Sequence, residues 1–146
     1  MLMMKFSAVG LLFVGLALAG AKADKMMDAK EMLRGLAVEC KTKEGASDAD
    51  VDMFVNDETP ETRTQKCLIG CMQEQFGVSN GKAFQPDGFM ELSKVFMKGD
   101  ETKVEVAKEI AVDCKDVTNE DRCELALLIM NCLKDSAEKH GISLKH

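Results

Sequence analysis

Beyond the first twenty-odd residues, apolar positions recur at three- and four-residue steps, the period of a helix with one buried face. Ala29, Leu33, Leu36, Ala37 and Cys40 form such a stripe, with Lys30, Glu31, Arg34 and Glu39 mostly off it. Ser47, followed by Asp48 and Asp50, predicts the N-cap of a short helix carrying Val51, Phe54 and Val55. Thr59-Pro60-Glu61 sets a capping hydroxyl before a proline at the first helical position, so a third helix is predicted from there to about Phe76, with Gly77 ending it. Pro86-Asp87 opens a fourth helix through Phe96, closed near Gly99. Asp100 caps a fifth with Val104, Ala107, Ala111 and Cys114 in step; Asn119 precedes a sixth, apolar from Leu125 to Met130 and stopped at Gly141. No stretch alternates apolar and polar with β-branched enrichment, so the fold class predicted is all-α. The segment from Gly77 to Pro86 reads as a loop.

The first 23 residues follow a different pattern. A short basic start (Lys5), an apolar run from Phe6 to Ala19 and small residues at Ala19, Ala21 and Ala23 are the layout of a cleaved secretory signal. The run is short for a membrane span and lacks a basic flank after it. Residues 24–146 are then expected as a single domain. Removal of Lys5 and Lys22 leaves 17 − 25 = −8 formal charges. That balance disfavours nucleic acid or an anionic membrane as the main partner.

All six cysteines lie in the expected mature chain, spaced Cys40-x26-Cys67-x3-Cys71-x42-Cys114-x8-Cys123-x8-Cys132. An even count in a short exported chain reads as a disulfide framework. Cys67 and Cys71, four apart on one helix, share a face and are expected to bond outward to two different elements. Six cysteines leave 15 pairings open. Each closed loop is expected to stabilise by roughly 3–4 kcal/mol on the chain-entropy model, not additively.

The order and spacing resemble the six-cysteine insect odorant-binding proteins, which include the pheromone-binding proteins. The most specific parts are Cys67-Leu-Ile-Gly-Cys71 and Cys123-Glu-Leu-Ala-Leu-Leu-Ile-Met-Asn-Cys132. The resemblance implies the pairs Cys40–Cys71, Cys67–Cys123 and Cys114–Cys132, with about six helices around an internal apolar cavity. It also implies a secreted carrier of small hydrophobic volatile or semi-volatile ligands in sensillar lymph or another fluid. A membrane odorant receptor is the expected destination, and a monomer or weak homodimer the expected state. The same fold serving a gland secretion or haemolymph is the alternative. A saposin-like lipid-interacting protein fits less well, because its close cysteine pairs near each terminus are missing.

Placement in that family nominates the residues expected to line the cavity. They are Leu33 and Leu36 on the first helix, Met53 and Phe54 on the second, Ile69, Met72 and Phe76 on the third, and Phe89, Leu92 and Phe96 on the fourth. The fifth helix offers Val104, Ala107, Ile110 and Ala111; the sixth offers Leu125, Leu128 and Ile129, with Leu133 following. Ile142 and Leu144 in the tail are expected as one wall, a lid. Eight methionines in residues 24–146 suit walls that adapt to more than one ligand. With no Tyr or Trp present, Gln73 and Asn131 are the polar candidates for a head group, and His140, at a helix end, is the candidate for pH sensitivity. No nucleophile, phosphate-loop or metal-ligand spacing occurs, so neither an enzyme nor a cofactor is expected.

Overall fold

The computed structural model of the protein describes residues 30–98 and 100–142. The expected signal segment 1–23, Gly99 and Leu144 lie outside them. Two compact units divide the chain, 1–36 and 37–146. Among the described residues there are six helices and no strand, only two isolated bridges (Ser79 with Phe84, Ala83 with Thr118). They are α1 (30–44), α2 (Asp48–Val55), α3 (Arg63–Gln75), α4 (Pro86–Phe96), α5 (Glu101–Asp113) and α6 (Arg122–Lys139).

The ends of these helices follow local chemistry. Ser47 caps α2 in a reciprocal box with Asp50, and Asp100 caps α5 by accepting from the Lys103 N–H. Pro86 occupies the first turn of α4, where a missing N–H matters least. The start of α3 differs from expectation: its cap is Thr62, not Thr59, because Gln65 stands three residues on and closes a capping box with it. The cap of α6 is Asp121, whose side chain accepts from the N–H groups of Cys123 and Glu124; Asn119 precedes the helix as expected and accepts from the Asp121 N–H. At the other ends, Gly77 and Gly141 take the left-handed conformation expected of them, and Asp57 does the same after α2. At that turn the Glu58 N–H reaches the Met53 carbonyl and the Asp57 N–H reaches that of Phe54.

The helix α6 is the hub. Its residues 126, 130, 133 and 134 fall on one stripe and 125, 129, 132 and 136 on the neighbouring one, so both must be covered. On the first side it runs parallel to α3: Arg63 pairs with Asp121, Lys66 with Glu124, and Cys67 is bonded to Cys123. Gly70 permits the approach, since a Cβ there would stand 3.0 Å from the Arg122 carbonyl oxygen. On the second side Cys132 is bonded to Cys114 at the end of α5. The third disulfide, Cys40–Cys71, joins α1 to α3. Beside this seam Arg122 donates to the buried Glu44, whose side chain is only 5% exposed.

The expected loop after α3 carries part of the core. Phe84 is 2% exposed and Val78 is buried, and both pack with Cys114, Leu125 and Ile129. The segment is stitched in place by backbone bonds from Gln85 to Val78, from Phe84 to Val117 and from Asn119 to Lys82. Its other anchor is glycine against glycine: a Cβ on Gly88 in α4 would lie 1.8 Å from the Gly77 carbonyl oxygen.

Two stability predictions arise from these contacts. Gly88→Ala forces backbone apart and is expected to destabilise by roughly 2–3 kcal/mol. Gly35→Ala, in α1 with nothing within 4 Å of its added methyl, is expected to be neutral or stabilising by up to about 1 kcal/mol. Thermal melts of the two variants check the contrast. Asp121 is held at about 2, below its ordinary 3.8, by the Arg63 guanidinium first and then by the backbone N–H groups it caps. A depressed carboxylate contributes stability that is present above its ordinary value and is lost as the pH falls through the folded one. Asp121→Asn is therefore expected to melt below the parent at pH 6, with the gap closing between about pH 4 and 2. A gap unchanged across that range would show that the charge pairing contributes nothing.

Candidate functional site

Further along the parallel pair, past the Cys67–Cys123 bond, residues of α3 and α6 both touch each other and line an open space beside their contact. This cavity, about 590 Å³, lies among α2, α3, α4 and α6. Its apolar wall is Phe54, Ile69, Leu92, Phe96, Met130 and Leu133; its polar groups are Gln73, Asp57, Glu58 and Lys134. The volume suits a ligand of small to moderate size, and apolar walls with few polar groups are the usual make-up of such sites. Behind the wall, Met53, Ile69 and Ala126 pack together, with Phe54 and Met130 against them.

The polar groups divide into an outer set and one inner group. Lys134 on α6 is 4.0 Å from Asp57, and Glu58 stands beside that pair. The left-handed turn after α2 is what brings both acids to the opening. Gln73 is half-buried, and its amide nitrogen donates to the Ala126 carbonyl at 3.2 Å.

A larger opening, about 680 Å³, lies along α5 and α6 and is lined by Asp113, Asp116, Thr118, Asp135, Ser136 and Lys139 around Val117, Leu128 and Cys132. It is an open, acid-rimmed surface groove, so an apolar ligand there would keep much of its surface in water. The smaller cavity is the better candidate for an apolar ligand on that ground.

Of the residues nominated from sequence, Phe54, Ile69, Leu92, Phe96 and Leu133 meet at the cavity, as does the polar candidate Gln73. Leu125 and Ile129 are fully buried in the neighbouring cluster with Phe84, and Phe76 and Phe89 pack against that cluster. Met53 and Met72 are buried. Val104 is half-buried and Ala107, Ile110 and Ala111 are buried on α5, which packs on α4 and α6, whereas the cavity's other walls come from α2 and α3. Leu128 is 43% exposed and lines the outer groove. Leu33 and Leu36 belong to the unit 1–36. Ile142 is half-buried just after Gly141, Asn131 is exposed, and Leu144 lies outside the described residues. The sequence reading missed Met130, Lys134, Asp57 and Glu58. Met130 carried a signal, since it stands four residues after Ala126 and three before Leu133.

His140 ties the end of α6 to α5. Its Nδ1 is 2.9 Å from Glu109 and its Nε2 is 2.9 Å from Asp113. Ser136 donates to the same Asp113, and these bonds, Ser136 first, hold the Asp113 carboxyl below the usual carboxylate range. Among the described residues no group of His, Cys, Asp or Glu could hold a metal ion, and no helix is long and apolar enough to cross a membrane.

Comparison with known proteins agrees with this architecture. Residues 22–136 match the PBP/GOBP family. The chain is 31% identical to general odorant-binding protein 19d of Drosophila melanogaster, over 92% of this chain and 93% of that protein. The solved structure of Drosophila melanogaster odorant-binding protein dmelOBP28a superposes with a TM-score of 0.67 at 30% identity, covering 81% of this chain and 99% of that one. A pheromone-binding protein of the cockroach Leucophaea maderae, solved in complex with the fluorescent reporter ANS, gives 0.61 at 25% identity over 73% of this chain and 92% of that one. The six-helix, three-disulfide frame and its relatives together establish that this chain belongs to the PBP/GOBP family of odorant-binding proteins, small-ligand carriers rather than enzymes.

Proposed function

We propose that this protein is exported by way of residues 1–23, takes up a small semi-volatile apolar molecule in the cavity beside α3 and α6, and carries it through an aqueous fluid to a membrane receptor. The observation that supports this most is a largely apolar cavity of about 590 Å³ inside a frame held by three disulfides. The mechanism is passive. Leaving water stabilises the bound ligand by roughly 25 cal/mol for each Å² of apolar surface removed. Ordering the ligand and the wall opposes this, so micromolar affinity is the natural range. Met130 and Phe54, only half-buried at the wall, supply the adaptable surface that accommodates more than one ligand shape.

Titration of the oxidised protein with N-phenyl-1-naphthylamine, a neutral dye that shares the anilinonaphthalene core of the cockroach protein's reporter without its sulfonate, checks the reading. Saturable binding to one site, displaced by long-chain alcohols, esters, aldehydes or terpenoids, is expected. Met130→Trp fills the cavity and is expected to weaken probe binding at least roughly tenfold, the loss of about 1.4 kcal/mol or more. Leu128→Trp, in the outer groove, is expected to leave it unchanged. Probe binding lost with Leu128→Trp and kept with Met130→Trp would move the site to the outer groove. No saturable binding to the folded parent would remove the carrier reading altogether.

A further inference from the structure

The opening of the cavity is charged, and its charges do not cancel. Among the described residues, the ionisable side chains that line the cavity are Asp57 and Glu58, consecutive in the turn after α2, and Lys134 of α6. Their formal charges leave the opening at 1 − 2 = −1. All three are within reach of a ligand: Asp57 and Glu58 are exposed, and the Lys134 side chain keeps 30% of its surface accessible.

The backbone holds this arrangement in place. Asp57 takes the left-handed conformation at φ 55°. Its N–H is bonded to the carbonyl of Phe54, a wall residue, and the Glu58 N–H to that of Met53 behind the wall. Apart from Gln73, the rest of the lining is apolar. A chain-like ligand with an ionised end therefore gains by laying its chain along that wall, while its charged end stays at the wet opening, because burying a charge costs far more than burying the chain. There the end meets Asp57, Glu58 and Lys134. A net negative set attracts an ammonium group and repels a carboxylate.

We infer that Asp57, Glu58 and Lys134 select ligands by charge, so that the cavity admits an alkyl amine, protonated at neutral pH, in preference to a carboxylate of the same length. This rests on the carrier reading above and narrows its ligand class. Lys134 moderates the selection and is no anchor for an anion, since a carboxylate drawn to it meets Asp57, 4.0 Å away, and Glu58 in the next position. One net charge acting across a few ångströms of water separates a cation from an anion by about tenfold.

The test is displacement of bound N-phenyl-1-naphthylamine by octylamine and by octanoate, at neutral pH and low ionic strength. The parent protein is expected to favour octylamine by about tenfold, and high salt to remove most of that gap. Asp57→Asn and Glu58→Gln each bring the opening to zero charge and are expected to close the gap; asparagine also tolerates the left-handed turn. The two together, at +1, are expected to reverse the order, and Lys134→Gln, at −2, to widen it. Asp116→Asn, which takes the same charge from the acid-rimmed outer groove, is expected to leave it unchanged. Octanoate binding as well as octylamine, or better, overturns the assignment in the parent alone. So does a gap that survives neutralisation of Asp57 and Glu58, or a failure of both compounds to displace the probe. A gap closed by Asp116→Asn also overturns it, and puts the amine in the outer groove. In each of these cases the probe still binds and the carrier reading stands. Failure of the probe to bind at all removes both.

Discussion

At Gly70 the backbone of α3 comes close enough to α6 that a methyl group would press on the Arg122 carbonyl, and from that approach the remaining geometry follows. It sets the Cys67–Cys123 bond within reach and aligns Arg63 with Asp121 and Lys66 with Glu124 across the two helix starts. It also leaves Arg122 beside Glu44, a partly buried pair whose separation would strand a buried carboxylate. Exposed ion pairs such as Arg63–Asp121 contribute little individually. The weight of the seam is carried by close packing, with the disulfide limiting the unfolded chain. The parallel alignment then fixes where the two helices' later turns stand, and the cavity lies beside those turns.

Fixing α6 on two sides accounts for most of its hydrophobicity, with Leu128 left 43% exposed in the outer groove. Leu125 to Met130 is apolar all the way round, which on a surface helix would be a liability. Here one stripe meets the cluster of Phe84, Cys114 and Val78, and the neighbouring stripe meets α3 and the cavity. The core cluster and the cavity therefore share a helix, and Leu92 and Leu133 touch both. A filled core next to an open one gives a small protein both stability and a binding site.

Much of the fold was legible because helix ends are written in local chemistry. Ser47, Asp100, Pro86, Gly77 and Gly141 each do what their type and position predict. Thr59 misled because Thr-Pro is a strong start signal taken alone. Gln65, whose side chain bonds back to the N–H of Thr62, decided the matter. The disulfide pairing came with the family resemblance, since spacing alone leaves 15 choices. The site was less legible. Periodicity identifies apolar faces, yet Ile129 and Met130, adjacent in sequence and alike in hydrophobicity, go to the core and to the cavity respectively. Asp57 and Lys134 meet only through a turn after α2 that takes a left-handed residue without a glycine to announce it.

A methyl-resolved NMR titration of the oxidised protein with a saturating long-chain alcohol reads the location of the ligand directly. Shifts concentrated on the methyl groups of Ile69, Leu92, Met130 and Leu133 are expected if the ligand occupies the cavity beside α3 and α6. Shifts concentrated on Val117 and Leu128 would put the ligand in the outer groove, and an unchanged spectrum would mean that no apolar ligand enters the frame.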